Sequence, residues 1–151
     1  MSDPATDAYL GLLAAYEPEI KEVALAVRTL VLEEAPTAAE LPFDVMNAVA
    51  AGYSFTGKPK DSFVHIAAYS GWVNLGFNKG SEFADPGCIL RGEGKWVRHI
   101  RISSLSDVER PIVRKFVKEA VRRAKRYVPV VIETKPVVRA ISKRRRRPRQ
   151  R

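Results

Sequence analysis

The stretch SFVHIAAYSGWVNLGF, residues 62–77, decides the fold of this chain. It contains two runs rich in β-branched and aromatic residues, 62–69 and 72–77, and Ser70-Gly71 lies between them. A two-residue connection between such runs is typical of a β-hairpin. The sequence therefore predicts two antiparallel strands at the centre of the chain.

Two amphipathic helices flank this hairpin in the sequence. Apolar residues recur at i, i+3, i+4 and i+7 across residues 18–34, with charged residues on the other side. A second such pattern runs from Ser106 or from Pro111 to Val128. Ser106 and Glu109 have capping-box spacing, whereas a proline favours the first turn of a helix. The sequence leaves both starting points open.

Three weaker signals complete the predicted fold. A short helix is expected over residues 6–16 and a strand over 95–102, while residues 43–51 are compatible with helix or strand. Helices and strands that can bury one apolar side each must pack against one another. The predicted fold class is therefore α+β, in two layers, with an antiparallel sheet packed against N-terminal and C-terminal amphipathic helices.

The positive charge is concentrated at the C-terminus. The 151-residue chain has a net charge of +9, but residues 141–151 contain seven Lys or Arg and no acidic residue. We predict one domain over residues 1–130 and a basic, disordered tail over 131–151, because a run of like charges cannot form a core. Such a tail would bind DNA, RNA or acidic membrane by counterion release, although a tail that only keeps the protein in solution has the same composition. The residues predicted to do so are Lys143, Arg144, Arg145, Arg146 and Arg147.

The compartment and the cofactors are predicted from what the sequence lacks. Cys88 is the single cysteine, so neither an internal disulfide nor a cysteine cluster for metal is expected. No apolar run is long enough to span a bilayer, and residues 1–10 do not resemble a secretory signal. We expect a cytoplasmic protein with no membrane span, no resident cofactor and no metal site.

Strand alternation predicts one candidate binding face. The aliphatic sides of the predicted strands would meet the helices, and the opposite side collects aromatic and polar residues. That mixture is typical of a ligand-binding surface or of a homodimer interface, although a half-solvated sheet shows the same alternation. The candidate residues are His65, Tyr69, Trp72, Asn74, His99 and Arg101.

A glycine-rich segment invites a phosphate-loop interpretation. In GEGK, residues 92–95, the position five before the Gly-Lys pair is Ile89 and the residue after the lysine is Trp96, so the Walker pattern is absent. A hairpin turn is the better interpretation, with a weak anion site formed by Lys95 and Arg98. We find no nucleophile beside a base, and the sequence predicts no catalytic residue.

Three motifs within residues 62–102 occur in combination: HIAAY at 65–69, VNLGF at 73–77 and GEGKWVRHI at 92–100. Together they resemble the YdhG-like family of bacterial domains of unknown function, and the resemblance extends over about residues 8–126. It implies a compact sheet-and-helix fold without agreed catalytic residues. Some members are described as frataxin-like iron chaperones, so the resemblance also implies iron as a ligand, although this chain has no acidic ridge.

Three hypotheses about function follow. The first is a non-enzymatic YdhG-like protein that holds a small ligand, a metal or a partner subunit on the sheet face. The second is a nucleic-acid-associated protein that acts through its Arg/Lys-rich tail. The third is a small enzyme with His65 or His99 as general base. Convergence of His65, Tyr69, Asn74 and His99 in one pocket would favour the first.

Overall fold

The computed structural model describes residues 4–45 and 47–127. Helices and strands follow one another as predicted for the α+β class, and the order is α1 (Pro4–Leu13), α2 (Pro18–Glu34), β1 (Ala39–Val45), β2 (Ala48–Ser54), β3 (Val64–Ala68), β4 (Val73–Phe77), β5 (Arg98–Ile102), α3 (Leu105–Val108) and α4 (Pro111–Tyr127). Single 3₁₀ turns lie at Pro59–Asp61 and Gly80–Glu82. None of the helices in the described part is long and apolar enough to cross a membrane.

The five strands form one antiparallel sheet in sequence order, β1-β2-β3-β4-β5. The hairpin predicted at its centre is confirmed. The Tyr69 N–H donates to the Trp72 carbonyl at 2.8 Å and closes the two-residue turn. Each strand therefore pairs with its chain neighbour, so the sheet needs no crossover connection.

The hydrophobic core lies between one face of the sheet and the helices. The inward residues of β3 and β4 are the aliphatic sets predicted from alternation, and Val64, Ile66, Val73 and Leu75 are fully buried. The apolar stripes of α2 and α4 pack against this face. The predicted two-layer arrangement is confirmed, with N-terminal and C-terminal helices in the same layer.

The ambiguous segment is a pair of strands, β1 and β2, joined at Asn47. Asn47 has a φ of 64°, which is left-handed backbone that asparagine tolerates in tight turns. All seven residues of β2 are buried, so neither face shows a polar alternation that the sequence could reveal. Residues 39–42 of β1 lie before the segment that the sequence indicated, and β1 lies at the edge of the sheet, where Pro42 does not interrupt pairing.

Several predicted boundaries are wrong by a few residues. Helix α1 covers Pro4–Leu13 rather than 6–16. It ends there because the chain turns before α2, and the Tyr16 N–H donates to the Leu13 carbonyl in that turn. Strand β5 begins at Arg98, since the carbonyl of Trp96 accepts from Ser81 instead of from a strand.

The start of the last helix is decided in favour of Pro111. Helix α4 begins there, and the short α3 before it is capped by Ser104, whose Oγ accepts from the Asp107 N–H at 3.3 Å. The Ser106–Glu109 capping box is not formed. The predicted domain boundary at 130 and the basic tail lie outside the described residues.

Candidate functional site

His65 lies at the centre of the sheet face that the helices leave uncovered. In the strand register it is opposite Gly52 on β2 and opposite Gly76 on β4. A methyl group at Gly76 would overlap His65 Nε2 and Cε1, so the imidazole edge covers the Gly76 backbone. Because the ring leans toward β4, the space above Gly52 on the other side stays available.

The imidazole is held by a residue from the end of the hairpin. His65 Nδ1 lies 2.9 Å from Asn78 Oδ1. An amide oxygen only accepts hydrogen bonds, so Nδ1 carries the proton and Nε2 keeps its lone pair. Burial lowers the pKa of His65 below 6.5, and the Asn78 hydrogen bond partly opposes that shift. The side chain is therefore a neutral imidazole with a fixed tautomer at pH 7.

A cavity of about 470 Å³ adjoins this imidazole on the Gly52 side. A methyl group at Gly52 would come within 2.7 Å of Ser62 Oγ, so glycine keeps this wall open. The apolar part of the wall comes from β1 and the first 3₁₀ turn, and the polar part from His65, Ser62 and Asn78. The lining residues are Leu41, Phe43, Gly52, Pro59, Ser62, His65 and Asn78.

His99 lies beyond Gly76 in the same row of the sheet, and it is opposite Gly76 in the β4–β5 register. Burial is the largest cause of the lowered pKa of His99, and the nearby His65, Arg101 and Arg91 lower that pKa further. The backbone of His99 also exchanges two hydrogen bonds with Arg91, at 2.8 and 2.9 Å. This isolated antiparallel bridge closes a loop over residues 92–98, which contains the GEGK segment. His99 does not line the cavity.

The other candidate residues form a second group at the tip of the hairpin. The Tyr69 and Trp72 rings stack with centroids 5.1 Å apart, and the Arg101 guanidinium lies 4.2 Å from the Trp72 ring centroid. Trp72 Nε1 and Asn74 Oδ1 are both buried without a hydrogen-bond partner among the residues that the structure describes. This group is a cation–π stack beside two unsatisfied polar atoms.

The six predicted face residues thus share one side of the sheet but not one pocket. Of His65, Tyr69, Asn74 and His99, the cavity is lined by His65 alone, so the convergence that would favour a shared ligand pocket is not found. Sequence reasoning missed Gly52, Ser62 and Asn78. The sequence does show a glycine in each strand beside the one that carries His65. These glycines indicate a site only when the strand register, which places both of them opposite His65, is known.

A second, larger cleft of about 690 Å³ shares Ser62 and Asn78 with the cavity. Its walls are charged as well as aromatic. Arg123 in its wall pairs with Glu82 at 3.1 Å and with Glu119 at 2.6 Å. This charge is already neutralised within the protein. The aromatic residues that line the cleft are Phe55, Phe63, Phe83 and Trp96.

The two residues predicted to bind an anion have separate partners. Arg98 Nη1 donates to the carbonyls of Gly94 at 2.5 Å and Val97 at 2.7 Å. Lys95 Nζ lies 5.3 Å from the Trp96 ring centroid. Neither contact tests the weak anion site at Lys95 and Arg98, which stays a prediction. The tail residues 143–147 lie outside the described part of the chain.

A metal site needs several donor side chains close together. Within residues 4–45 and 47–127, no three His, Cys, Asp or Glu side chains lie close enough together to hold a metal ion. Cys88 is exposed and unpaired. The two histidines flank Gly76 without a carboxylate beside them, so this face offers at most two imidazole donors.

A buried polar cluster lies on the opposite, helix-covered face. Glu40 on β1 accepts from Arg28 at 2.6 and 3.0 Å and from the Tyr53 hydroxyl at 2.7 Å. Tyr9 is fully buried beside it, and its hydroxyl has no hydrogen-bond partner within residues 4–45 and 47–127. Burial raises the pKa of both tyrosines, and the Glu40 charge raises it further. This cluster joins α1 and α2 to the edge of the sheet.

Comparisons with protein-family models, with curated proteins and with solved structures found no match to this chain.

Proposed function

We propose that this chain is a non-enzymatic, YdhG-like binding domain that holds a small uncharged ligand in the cavity above Gly52. The observation that carries the proposal is the imidazole of His65, which Asn78 fixes from one side and which borders the cavity. A cavity of about 470 Å³ is within the range of ligand sites, which are mostly apolar with a few placed polar groups.

The chemistry of the cavity wall defines the class of ligand. None of its seven lining residues carries a formal charge when His65 is neutral. Leu41, Phe43 and Pro59 favour an apolar or aromatic body, while the Ser62 hydroxyl and the Asn78 amide offer hydrogen bonds. A charged ligand would lose hydration without a compensating partner there. We therefore infer a neutral molecule with one hydrogen-bonding end.

The other occupants of this face have less support. Iron is the ligand that the family resemblance implies, but its usual carboxylate donors are absent from the cavity wall. A second copy of the chain could contact the face at Phe43, which is partly exposed on the edge strand. A cytoplasmic location remains part of the proposal.

The proposal also assigns His65 a binding role rather than a catalytic one. A general base becomes positively charged, and a carboxylate partner normally stabilises that charge. The partner of His65 is the Asn78 amide oxygen, which carries no charge. The lowered pKa makes the base weaker still.

A thermal-shift screen tests the proposed function. Uncharged metabolites, charged metabolites, Fe²⁺ and other divalent ions are compared on the full chain, because a ligand of the native state raises the melting temperature. The matched variants are His65→Gln and His99→Gln, which alter the same residue type inside and outside the cavity. We expect uncharged compounds to stabilise the wild type and His99→Gln but not His65→Gln. A hit that stabilises both variants equally, or only Fe²⁺ among the hits, contradicts the proposal.

A further inference from the structure

The near-neutral charge of the domain conceals two regions of opposite sign. Residues 110–126 contain eight Lys or Arg and one acidic residue, Glu119. Residues 4–109 contain nine Lys or Arg and fourteen Asp or Glu. Helix α4 is therefore strongly basic, and it follows an acidic remainder of the domain. Within residues 4–126, the positive charge is thus concentrated in the last helix.

The cations of α4 form a stripe along its exposed side. Lys115, Lys118, Arg122 and Lys125 are spaced i, i+3, i+7 and i+10, so they lie on one face of the helix. All four are exposed, and Arg126 at i+11 is the fifth residue of the stripe and is also exposed. The opposite face is in the core, where the buried residues are Val113, Phe116, Val117, Ala120 and Val121.

Acidic residues neutralise the flanks of α4 but not this stripe. Arg114 pairs with Glu33 at 2.8 Å and with Glu34 at 2.6 Å on α2. Arg123, on the other flank, pairs with Glu82 and Glu119.

Within the stripe, only Arg122 has a carboxylate partner, which is Glu119. In the described part of the chain no carboxylate lies within 4.0 Å of Lys115, Lys118, Lys125 or Arg126. Four cations on one helix face are therefore uncompensated.

We propose that the exposed stripe of α4 binds the phosphate backbone of nucleic acid. From Lys115 to Arg126 the stripe extends about 16 Å, at 1.5 Å per residue. One DNA strand presents a phosphate about every 3.4 Å along the axis, so the stripe matches about five phosphates. Lysine and arginine at such spacing contact phosphates and release counterions. No sequence preference is expected, since these contacts go to the backbone rather than to base edges.

The same stripe is poorly suited to a membrane. A helix that binds at the lipid interface inserts apolar side chains between head groups. The apolar side chains of α4 are committed to the core, and the exposed positions after Pro111 are all Lys or Arg. The proposal is independent of the cavity at His65, which is on the other face of the sheet. It also differs from binding by the tail, because it depends on residues 115–126.

Fluorescence polarisation with a labelled DNA duplex of about 20 base pairs tests the proposal on the full chain. The stripe variant is K115Q/K118Q/K125Q. The control K21Q/K58Q/K60Q removes the same charge elsewhere in the domain, and R144Q/R145Q/R146Q/R147Q removes tail charge. Circular dichroism checks that each variant is folded, since glutamine is as good a helix former as lysine. Vesicles containing anionic phosphatidylserine serve as the alternative polyanion.

The expected result is specific to the stripe. The stripe variant should bind the duplex at least about tenfold more weakly than the wild type at about 0.1 M salt, and its slope of log K against log salt should be shallower by about 2 to 3. The control variant should retain most of its affinity. Equal losses in the stripe and control variants, loss in the tail variant alone, or binding to vesicles without binding to the duplex would each overturn the proposal.

Discussion

The imidazole of His65 covers the α-carbon of Gly76, the residue directly opposite it on the neighbouring strand. The backbone at Gly76 does not itself require glycine, because its φ is not in the left-handed range. Glycine is needed there because the His65 ring occupies the space that a β-carbon would take. A side chain at Gly76 would displace the ring from its hydrogen bond with Asn78. The position of the candidate ligand-binding group is thus coupled to a residue that never contacts the cavity.

Replacing Gly76 by alanine should destabilise the fold. The added methyl group would overlap Nε2 and Cε1 of His65, and overpacking of this kind costs about 1–3 kcal/mol. Urea unfolding of Gly76→Ala measures the loss. The cost should be largely recovered in H65A/G76A, because the truncated side chain no longer occupies the space. Equal instability in the double variant would contradict the packing explanation.

Gly11 provides the matched control for that experiment. It is exposed within α1, and a methyl group there would meet no atom within 4 Å. Alanine is the better helix former, so Gly11→Ala should raise the free energy of unfolding by about 0.5–1 kcal/mol. The same substitution thus has opposite signs at the two sites.

His65 should make the stability depend on pH near neutrality. Burial lowers its pKa in the folded protein below 6.5, so the unfolded chain binds more protons at pH values just below 6.5. The free energy of unfolding then decreases as the pH falls from about 6.5 through the folded pKa, and it is constant with respect to this group above that range. Urea unfolding at about pH 7.5 and about pH 5.5 measures the change.

The control for the pH experiment is His65→Gln, which removes the titrating group but retains His99. Its stability should fall less between the two pH values than that of the wild type. A proton NMR titration gives a direct check, because the His65 ring signals should titrate below pH 6.5. A wild-type His65 pKa above 6.5 would contradict the burial seen at this site.

Two buried tyrosines beside Glu40 should respond oppositely to loss of the hydroxyl group. The Tyr53 hydroxyl donates to Glu40 at 2.7 Å. Hydrogen bonds to charged groups contribute about 1.5–3 kcal/mol, so Tyr53→Phe should lower the free energy of unfolding by that amount. The Tyr9 hydroxyl is buried without a hydrogen-bond partner in the described part of the chain, so Tyr9→Phe should be neutral or stabilising by up to about 1 kcal/mol. Thermal unfolding compares the two variants, and equal destabilisation would show that the Tyr9 hydroxyl has a role that its contacts do not reveal.

Much of the fold could be predicted because its signals are local. The hairpin at residues 62–77, helix α2 and the apolar stripe of α4 follow from alternation, from helical periodicity and from turn residues. Strands β1 and β2 could not be predicted in the same way. A strand that is buried on both faces loses its alternation, and the left-handed turn at Asn47 has no unique sequence signature.

The sequence by itself determined which residues share a face of the sheet, because side-chain direction alternates with the backbone. It placed His65, Asn74 and His99 on one side, and the register confirms this. Only the tertiary structure decided that His65 borders a cavity and His99 does not. That outcome depends on the register that sets His65 between Gly52 and Gly76, and register is a relationship between strands.

The same division applies to charge. The sequence alone showed that residues 110–126 are basic, since charge is a property of each residue. Only the tertiary structure showed which of these cations are neutralised. Glu33 and Glu34 lie about eighty residues before Arg114 in the chain, yet packing of α2 against α4 brings them into contact. The uncompensated stripe of α4 exists because the fold supplies carboxylates to the flanks of the helix and none to most of its exposed side.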